Sequence, residues 1–461
     1  MSGITNYPNA DVKSQYVGRL LQDIDGPLAV IDRVVAKRNC QVMLDTADEL
    51  GVLFRAHVKT HKTTEITRYQ VGEKSDTVRL VVSTLAEAEQ LQPFLEECRQ
   101  KDRAVDVIYG LPVQPSCFSR LAALGTALGE GSITCLVDST EILPYLSKYH
   151  ELTGQRLGVF IKLDTGHNRA GILPDSPQFV SILEAVYKLE TDSPHLITLR
   201  GFYSHLGRSY GSDSPTEAMD YLEIEIDRCT VAAKQATALP GPYSTRRFII
   251  AVGATPTTTS AQNLTGPRLA QIPGADKAKA LIDQVQEKYD IELHAGAYTT
   301  LDMQQLAAHA RPSPSNLSYD DLALTVLAEV GSLYPHREKP EALIACGQLC
   351  MGREPCRSYP GWGVVTPWQH TKTDEKLGWY DPEGEKTGWM IDRLSQEHGI
   401  LAWQGPVEKM RQLKIGEKIR VWPNHCCICC AGFSFLLVVD SSLEGIEKDR
   451  VVDVWHSWRG W

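Results

Sequence analysis

The chain lacks any long apolar run. None of its 461 residues belong to a stretch of the roughly 20 apolar residues that a membrane-spanning helix needs, and its first residues lack the basic-then-apolar pattern of a secretory signal. Lysine and arginine form no long clusters and the formal net charge is −10, so the electrostatic footprint of a DNA- or RNA-binding protein is missing as well. We therefore expect a cytoplasmic protein that acts on a small-molecule substrate, with no membrane or nucleic-acid partner.

Several common binding motifs are also absent. Neither GxxxxGK[ST] nor GxGxxG occurs, which argues against a P-loop or a dinucleotide fingerprint. The twelve cysteines include CxxC pairs only within Cys426–Cys430, whereas a structural zinc site made of four cysteines normally needs a second such pair elsewhere. Without a secretory pattern, free thiols or metal ligands are more expected than disulfides.

What the first two thirds of the chain contain is a regular alternation of strand-like segments with helical patterns. The strand-like segments are 28–32, 52–59, 78–84, 104–110, 132–138, 157–164, 198–205, 247–253 and 291–296. Strand, helix, strand, repeated about eight times, is typical of a parallel (β/α)8 barrel, and we predict that this domain covers 25–315. A doubly wound open sheet would show similar alternation and is the alternative.

The remainder of the chain has a different pattern. From 316 onward, short β-type runs are separated by Gly, Pro and charged turns, which predicts a second, mostly β domain over 316–461, with 1–24 as a candidate addition. Residues 366–390 are polar and rich in Lys, Asp, Gly and Trp, which indicates an exposed loop. Two domains also agree with the chain length, which exceeds the size at which one core keeps growing.

A basic cluster, RAHVKTHK, follows the strand start at 52. On a barrel strand, Arg55, His57 and Lys59 alternate onto one face, and we expect them to point toward the barrel mouth. A lysine among cationic groups has its ammonium form disfavoured, which promotes the free amine that imine chemistry needs. The alternative is an exposed basic strand end, and spacing alone leaves both interpretations open.

A second cluster, WPNHCCICC, contains His425 and Cys427. The two residues are two apart, so in an extended strand both side chains would leave the same face. Imidazole and thiolate suit Zn²⁺, and a site with two protein ligands keeps positions for water and substrate. The alternatives are a CxxC element, buried cysteines packed as small hydrophobes, and a hydrogen-bonded core histidine.

Two glycine-containing segments are candidates for binding a phosphate. VGATPTTTS (252–260) follows an apolar strand and ends in hydroxyls, and HAGAY (294–298) follows another. One phosphate near the last strands of a barrel mouth fits this pattern, although an ordinary turn would also explain each segment. Further polar side chains at glycine-rich strand ends and in SQEHG are His167, Arg169, Tyr203, His205, Tyr210, Glu397 and His398.

Taken together, these motifs resemble the D-serine dehydratase family in its fungal form, within the group that shares the alanine racemase fold. The lysine motif stands here as RAHVKTHK, the Lys-x-Asp-Thr-Gly strand as KLDTG, the phosphate turn as GATP, and the metal motif as PNHCC. SQEHG also matches, and the similarity covers nearly the whole chain. The lysine and PNHxC motifs are the specific ones.

The resemblance implies an α/β protein, a barrel of the alanine racemase type with a second, mostly β domain. It implies pyridoxal 5'-phosphate and Zn²⁺ as cofactors, a homodimer, and dehydration of D-serine to pyruvate and ammonia. By motif position Lys59 is the catalytic residue and carries the cofactor, and His425 and Cys427 bind zinc. The other implied cofactor-binding residues are Tyr203, Tyr210, Gly253, Ala254, Thr255, His205 and Arg169.

The sequence also departs from the family pattern. Ala56 and Ala254 replace the usual proline and serine, and Ala297 and Ala345 stand where the family usually has larger polar residues, so a divergent substrate range is an open alternative. A metal-assisted D-threonine aldolase is the first rival function, although such aldolases typically carry Asp where Cys427 stands. A catalytically silent relative that retains the fold is the second rival.

Overall fold

The computed structural model describes residues 9–312, 317–368 and 377–461. Its strands are β1 (Leu28–Asp32), β2 (Leu53–His57), β3 (Thr77–Val82), β4 (Ala104–Pro112), β5 (Ile133–Val137), β6 (Leu157–Lys162), β7 (Ile197–Tyr203), β8 (Ile249–Val252), β9 (Asp290–Ala295), β10 (Leu324–Tyr334), β11 (Glu341–Ile344), β12 (Gly363–Val365), β13 (Gly388–Leu394), β14 (Gly399–Gln404), β15 (Lys418–Pro423), β16 (Phe435–Val439) and β17 (Asp453–His456). Its helices are α1 (Asn9–Tyr16), α2 (Arg33–Leu50), α3 (Thr64–Val71), α4 (Leu85–Gln100), α5 (Phe118–Leu128), α6 (Ser147–Thr153), α7 (Pro177–Asp192), α8 (Pro215–Thr237), α9 (Thr255–Ser260), α10 (Ala275–Gln286), α11 (Met303–Ala307), α12 (Gln348–Met351) and α13 (Cys426–Ala431).

The chain divides into two compact units. The barrel unit comprises Cys40–Tyr298, Trp458–Trp461 and the described residues that follow Ala307 up to 312. The sheet unit comprises the described residues up to Asn39, Thr299–Ala307, and the described part of Leu317–Ser457. The domain limits predicted above, 25–315 and 316–461, stay a prediction. The two units do not follow a single cut in the chain, because the sheet unit includes the described residues up to Asn39 and Thr299–Ala307, and the barrel unit includes Trp458–Trp461.

Eight parallel strands, β2 to β9, form the closed barrel of the barrel unit. Every residue of β5 and β6 is buried, as expected for strands that are covered on both faces. Helices follow the strands and begin at hydroxyl caps: the side chains of Thr63, Thr84, Ser176 and Ser214 each accept a hydrogen bond from the backbone N–H three residues on. The predicted (β/α)8 barrel is confirmed, and the caps fix where the chain turns at the strand ends.

The interior of the barrel holds a network of charged side chains. Arg55 on β2 is fully buried, and its guanidinium contacts Glu292 on β9 and Asp106 on β4, each at 2.6 Å. Arg200 on β7 contacts the same Asp106 carboxylate at 2.7 Å. The expectation that Arg55 points to the barrel mouth is therefore wrong. Residues alternate in face along a strand but also advance about 3.3 Å each, so Arg55 lies a layer deeper than His57.

The sheet unit is built on a nine-stranded sheet in the order β11-β14-β13-β12-β15-β10-β1-β16-β17. Because β11 also pairs with β10, six antiparallel strands form a closed ring, and β1, β16 and β17 extend it. The first predicted strand, 28–32, is thus a strand of this sheet and not of the barrel, pairing with β10 and, in parallel, with β16.

The predicted loop 366–390 is partly wrong. Gly388 begins β13, in which Trp389 and Met390 are buried against the rest of the sheet unit. Residues 369–376 of that predicted loop lie outside the described residues. No helix within the described ranges is both long enough and apolar enough to cross a bilayer.

Candidate active site

Lys59 lies just beyond the end of β2, in a turn held by buried polar side chains. The fully buried His61 accepts a hydrogen bond at Nδ1 from the Thr63 backbone N–H (3.1 Å) and donates from Nε2 to Gln70 Oε1 (2.9 Å). Gln70 in turn donates to the His57 carbonyl at 3.3 Å. The half-buried Lys59 side chain is therefore presented from a rigid segment.

Three imidazoles, those of His57, His205 and His294, lie within electrostatic reach of Lys59. Burial, followed by the positive charge of Lys59, lowers the pKa of His57 and of His205 well below the ordinary histidine value. Burial, together with the charges of Lys162, Arg55 and Lys59, lowers the pKa of His294 to about 3, although its hydrogen bond to Ser204 acts in the opposite direction. At neutral pH these rings are neutral, so they add no charge near Lys59.

The tautomer of His294 is fixed by its neighbours. Its Nε2–H donates to the Ser204 carbonyl at 2.8 Å, and its Nδ1 accepts from the Tyr203 hydroxyl at 3.3 Å. The Tyr203 ring stacks on His294 with ring centroids 4.3 Å apart and planes 5° apart. Since burial raises the pKa of Tyr203, the phenol stays protonated and keeps donating. The pair forms a flat aromatic surface at the end of β7 and β9.

A buried lysine and a buried glutamate lie beside this stack, and neither was among the predicted site residues. Lys162, the last residue of β6, has its Nζ 5.8 Å from the Tyr203 ring centroid, and burial lowers its pKa to about 8. Glu225 on α8 accepts from the Ser204 hydroxyl and the Leu206 N–H, each at 2.8 Å, while burial raises its pKa. Lys162 stands in the KLDTG motif, which offered a signal, whereas Glu225 resembles an ordinary polar position of an amphipathic helix.

The predicted phosphate turn connects β8 to α9. Gly253 has φ +150°, and a Cβ on it would lie 2.2 Å from the His294 carbonyl oxygen, so only glycine fits there. Ala254 caps α9, its N–H donating to Thr257 Oγ1 at 2.9 Å, and Thr255 is the first helical residue. The His205 Nδ1–H donates to the Gly253 carbonyl at 2.8 Å, which joins the predicted turn to the histidine cluster.

Arg169 and Tyr210 complete the predicted set in the barrel unit. Arg169 is exposed on the loop after β6, yet its charge lowers the pKa of His57 and His205 after the larger effects of burial and Lys59. Tyr210 is half-buried in the 3-10 turn Gly207–Gly211 that follows β7. The structure thus brings Lys59, His205 and Arg169 together electrostatically and places Tyr210 on the adjoining loop.

The chemistry of this donor set fits the phosphorylated aldehyde expected from the resemblance. Lys59, Arg169 and Lys162 contribute positive charge around neutral rings, an arrangement that favours an anionic ligand. The stacked rings of Tyr203 and His294 are suited to contact with another aromatic ring. At position 253 there is no room for a Cβ, so glycine lets the backbone of the predicted phosphate turn pass close to His294. The residues present therefore fit pyridoxal phosphate.

The metal pair lies in the sheet unit, and its local structure differs from the expectation. His425 is extended but Cys426–Ala431 is a helix, so the two residues are not on one face of a strand. Their side chains nevertheless hydrogen-bond to each other, because the helix turns Cys427 back toward the capping residue. The predicted pair therefore lies together, although not by the extended geometry expected, and its role as a metal site stays a prediction.

Gln304 on α11 orients the imidazole, and the sequence had given no indication of it. Its Oε1 accepts from the His425 Nδ1–H at 2.6 Å, while its Nε2 donates to the Pro355 carbonyl at 2.8 Å. This fixes the amide orientation and requires a hydrogen on His425 Nδ1. Nε2 is then the nitrogen left for a metal, which would displace any proton there, as is typical of metal-binding histidines.

The charge around His425 favours a cation. Although burial lowers its pKa, the Cys427 sulfur, Asp302 and Glu354 together raise the pKa of His425 to about 9. Asp302 is buried 3.8 Å from Nδ1 and accepts from the Cys426 N–H at 2.9 Å. No group of three or more His, Cys, Asp or Glu side chains arranged to bind a metal occurs in the described residues. The nitrogen of His425 and the sulfur of Cys427, with the Asp302 carboxylate nearby, are donors that fit a zinc ion.

Comparisons with known proteins agree with this geometry. The family model for the alanine racemase N-terminal domain matches 31–264, and the model for a putative serine dehydratase domain matches 323–439. The D-serine dehydratase of Schizosaccharomyces pombe is 32% identical over 99% of this chain and 97% of its own length. That of Saccharomyces cerevisiae is 32% identical over 98% of this chain and 100% of its own.

The chain belongs to the D-serine dehydratase family. It is therefore a lyase with the alanine racemase-like fold, and the predicted family and fold are confirmed. Among solved structures, the D-threo-3-hydroxyaspartate dehydratase of Delftia has a TM-score of 0.71 at 25% identity, covering 96% of this chain and 100% of that one. A cysteine-to-alanine mutant of an enzyme of that name was solved in a metal-free form, with the same TM-score and identity.

Proposed function

We propose that this chain dehydrates D-serine to pyruvate and ammonia, with pyridoxal phosphate held by Lys59 and zinc held by His425 and Cys427. The observation that carries the proposal is the end-to-end match to two fungal D-serine dehydratases at 32% identity. A fold match alone would not support it, because one fold serves many reactions. The positive charge that Lys162 and Arg169 add near Lys59 supports the same assignment.

In the proposal, side chains of the barrel unit hold the cofactor, and one of them, Lys59, also acts as the base. Pyridoxal phosphate, when bound, supplies an electron sink for the carbanion formed at Cα. The residues we assign to hold it are Lys59, Tyr203, Tyr210, His205, Arg169, Gly253, Ala254 and Thr255. Lys59 Nζ is assigned as the base that takes the Cα proton. His294 is unsuited to that task, because both of its nitrogens are already hydrogen-bonded.

In the sheet unit, Gln304 and Asp302 prepare His425 for the metal. Zinc, when bound, supplies a Lewis acid for the β-hydroxyl, which is otherwise a poor leaving group. Gln304 holds the ring with Nε2 available, and Cys427 provides the sulfur ligand from the first turn of α13. The buried Asp302 carboxylate lies near the ring and favours a positive charge there.

The experiment is an assay of the purified holoenzyme for keto acid release from D-serine, L-serine and D-threonine. We expect release from D-serine and not from L-serine, and loss of activity on chelation of zinc with the cofactor absorbance unchanged. Lys59→Ala is expected to lose both activity and the visible absorbance. Full activity after verified zinc removal would contradict the role of the metal.

Two outcomes of this assay favour the rival functions. Acetaldehyde released from D-threonine in place of a keto acid would indicate an aldolase, in which the Cα–Cβ bond breaks. A protein with no borohydride-reducible chromophore on Lys59 would indicate a silent relative. Activity restored to the chelated enzyme by zinc, and not by magnesium, is the matched control for nonspecific damage.

We further propose that the chain forms a homodimer, as the family resemblance implies. Light scattering on the purified protein is expected to give twice the chain mass of 51.2 kDa. A single chain mass at micromolar concentration would contradict this proposal.

A further inference from the structure

A buried carboxylate that the proposed reaction does not use lies on α8, the helix that follows β7. Glu225 is fully buried, and its two carboxylate oxygens accept hydrogen bonds from the segments that follow β7 and β8. We propose that Glu225 is a positioning residue, which holds the predicted phosphate turn in the geometry that binds the cofactor phosphate. This inference rests on the function proposed above, because that turn is assigned there to pyridoxal phosphate.

One carboxylate oxygen fixes the chain after β7. Glu225 Oε1 accepts from the Ser204 hydroxyl and from the Leu206 N–H, each at 2.8 Å. Because the Ser204 hydroxyl donates its only hydrogen there, its oxygen accepts from the Thr165 hydroxyl, 2.7 Å away on the loop after β6. His205 stands between the two anchored residues, and its Nδ1–H donates to a carbonyl of the predicted phosphate turn at 2.8 Å. Oε1 therefore holds a side chain that contacts this turn.

The other carboxylate oxygen reaches the predicted phosphate turn through one hydroxyl. Glu225 Oε2 accepts from the Thr257 hydroxyl at 3.1 Å. The oxygen of that hydroxyl accepts from the Ala254 N–H at 2.9 Å, and it also lies 3.1 Å from the Ala254 carbonyl. The carboxylate and that carbonyl thus compete for the single hydroxyl hydrogen of Thr257. The position of Ala254 therefore depends on Thr257 and, through it, on Glu225.

The segment after β9 holds the same turn from another side. A Cβ on Gly253 would lie 2.2 Å from the His294 carbonyl oxygen, and the Thr258 hydroxyl donates to that oxygen at 3.0 Å. The Ala297 N–H donates to Thr255 Oγ1 at 3.2 Å. The predicted phosphate turn is thus fixed from β9 by close backbone contacts and from α8 by the carboxylate. Loss of the carboxylate leaves only the first of these two supports.

Two substitutions separate the hydrogen bonds of Glu225 from its charge. In Glu225→Gln the amide oxygen still accepts from Ser204 and Leu206. The amide NH2 group then faces Thr257, whose hydroxyl turns to the Ala254 carbonyl. In Glu225→Met no acceptor is left, so one buried N–H and two buried hydroxyls lose a partner. A positioning role therefore requires a large effect of the methionine and a small effect of the glutamine.

The first experiment compares the affinities of the full chain for pyridoxal phosphate and for pyridoxal, which lacks the phosphate. The cofactor is first removed by dialysis against hydroxylamine, and binding is then followed by the visible absorbance of the added aldehyde. In Glu225→Met we expect the dissociation constant of pyridoxal phosphate to rise about tenfold or more, as for one lost hydrogen bond to a charged group. For pyridoxal in that variant, and for both ligands in Glu225→Gln, we expect a rise of less than about threefold.

The matched control is a second buried carboxylate on α8. Glu223 lies 2.6 Å from the Lys277 Nζ and is paired there with a lysine, not with the predicted phosphate turn. Glu223→Met is expected to leave the ratio of the two dissociation constants unchanged. An equal loss of affinity for both ligands in Glu225→Met, or the same ratio in the Glu223 and Glu225 variants, would overturn the proposal.

A second pair of variants covers the case in which Glu225→Met does not fold, as checked by circular dichroism. Thr257→Val keeps the shape of the side chain but removes the hydroxyl that joins Ala254 to the carboxylate. We expect it to weaken pyridoxal phosphate more than pyridoxal, and we expect Thr257→Ser to retain the affinity for both. Equal behaviour of Thr257→Val and Thr257→Ser would contradict the proposed role.

The second experiment measures amide hydrogen exchange of the full chain by mass spectrometry. In Glu225→Met we expect faster exchange in the peptides that contain Leu206 and Ala254, and unchanged exchange in the peptides of β4 and β5. Faster exchange throughout the barrel would indicate a general loss of stability and would overturn a positioning role. Unaltered protein that binds no pyridoxal phosphate would contradict the proposed function, whereas the exchange result would still decide whether Glu225 holds the turn.

Discussion

At the scale of single residues, the candidate site depends on side chains that fix one another's protonation. Tyr203 donates to His294, which donates to the Ser204 carbonyl, so a proton added to His294 would remove an acceptor. Gln304 fixes the position of one hydrogen on His425, because its amide oxygen can only accept and His425 Nδ1 must therefore donate. These neighbours decide which atom of each ring is available for chemistry.

The Gln304 contact leads to a prediction about metal affinity. Gln304→Ala removes the acceptor that orients His425, and zinc affinity is expected to fall by about 10- to 100-fold, as for lost partners of metal-binding histidines. Competition with a chromophoric chelator measures this without any assay of activity. Gln304→Glu keeps an oxygen acceptor and is expected to retain most of the affinity, so equal losses in both variants would contradict an orienting role.

The buried His61 leads to a prediction about pH and stability. Burial lowers the pKa of His61 to about 4, whereas the unfolded chain has the ordinary value near 6.5. Between these values the unfolded state binds a proton that the folded state does not, so the free energy of unfolding decreases as the pH falls. The expected slope from this residue is about 1.4 kcal/mol per pH unit.

Urea unfolding of the apoprotein between pH 7 and 4.5 measures that slope. His61→Gln removes the titrating group while keeping hydrogen-bonding ability, and its stability is expected to depend less steeply on pH by one proton. The exposed His195 gives the matched control, because His195→Gln is expected to leave the slope unchanged. An unchanged slope in His61→Gln would contradict the lowered pKa.

The sequence could single out Lys59, His205 and Gly253 as candidates because each stands in a short motif at a strand end. It did not name His294 or Lys162 as site residues, although HAGAY and KLDTG contain them, because their contacts arise only when the barrel closes. Gln304 stands in no motif, and its contact arises from the approach of α11 to the chain before α13. Arg55 was assigned to the mouth because periodicity gives the face of a strand but not the depth along it. The contacts that set protonation are long-range and carry no local pattern.

At the scale of elements, the sequence predicted strands better than it predicted their partners. Segment 28–32 has the composition of any buried strand, and nothing in it distinguishes a barrel partner from β10 and β16. Gly388–Leu394 was missed because a polar, glycine-containing stretch precedes it. The extended geometry expected for His425 and Cys427 is wrong, because a helix, Cys426–Ala431, begins within the motif directly after His425.

The pairing of β7 with β8 leads to a prediction for Gly201. A Cβ there would lie 1.9 Å from the Ile249 carbonyl oxygen, and this backbone cannot move without opening the barrel. Gly201→Ala is expected to lower the free energy of unfolding by about 3 kcal/mol or more, or to prevent soluble expression. Gly378→Ala, where no atom lies within 4 Å of the added Cβ, is the control; equal stability of the two variants would contradict the argument.

At the scale of the whole molecule, the chain combines a closed parallel barrel with a mostly antiparallel sheet. The barrel unit closes eight parallel strands and leaves none of them as an edge, while the sheet unit closes six antiparallel strands into a ring. The barrel has no edge strand and the ring pairs six of the nine strands of the sheet unit on both sides, so the polar side chains at these strand ends are held on rigid supports. Charged side chains fill part of the barrel interior, and each buried charge must be paired with an opposite charge.

This pairing is provided by a network of ion pairs centred on Arg55, which joins β2, β4 and β9. Although burial raises the pKa of Asp106, Arg55 and Arg200 lower it to about 2, so the carboxylate stays charged inside the barrel. Arg55→Met removes the central cation and leaves Glu292 and Asp106 with too little positive charge. We expect the free energy of unfolding to fall by about 3–5 kcal/mol, the cost of breaking a buried ion pair from one side.

Denaturant unfolding followed by circular dichroism measures this loss, and the surface pair Arg156–Glu130 supplies the comparison. Both of those side chains are more than half exposed, so Arg156→Met is expected to change stability by less than about 1 kcal/mol. Replacing Arg55, Asp106 and Glu292 together with apolar residues is expected to recover much of the loss, because no charge is then left without its partner. If Arg55→Met were as stable as Arg156→Met, the buried network would not be what holds the barrel strands together.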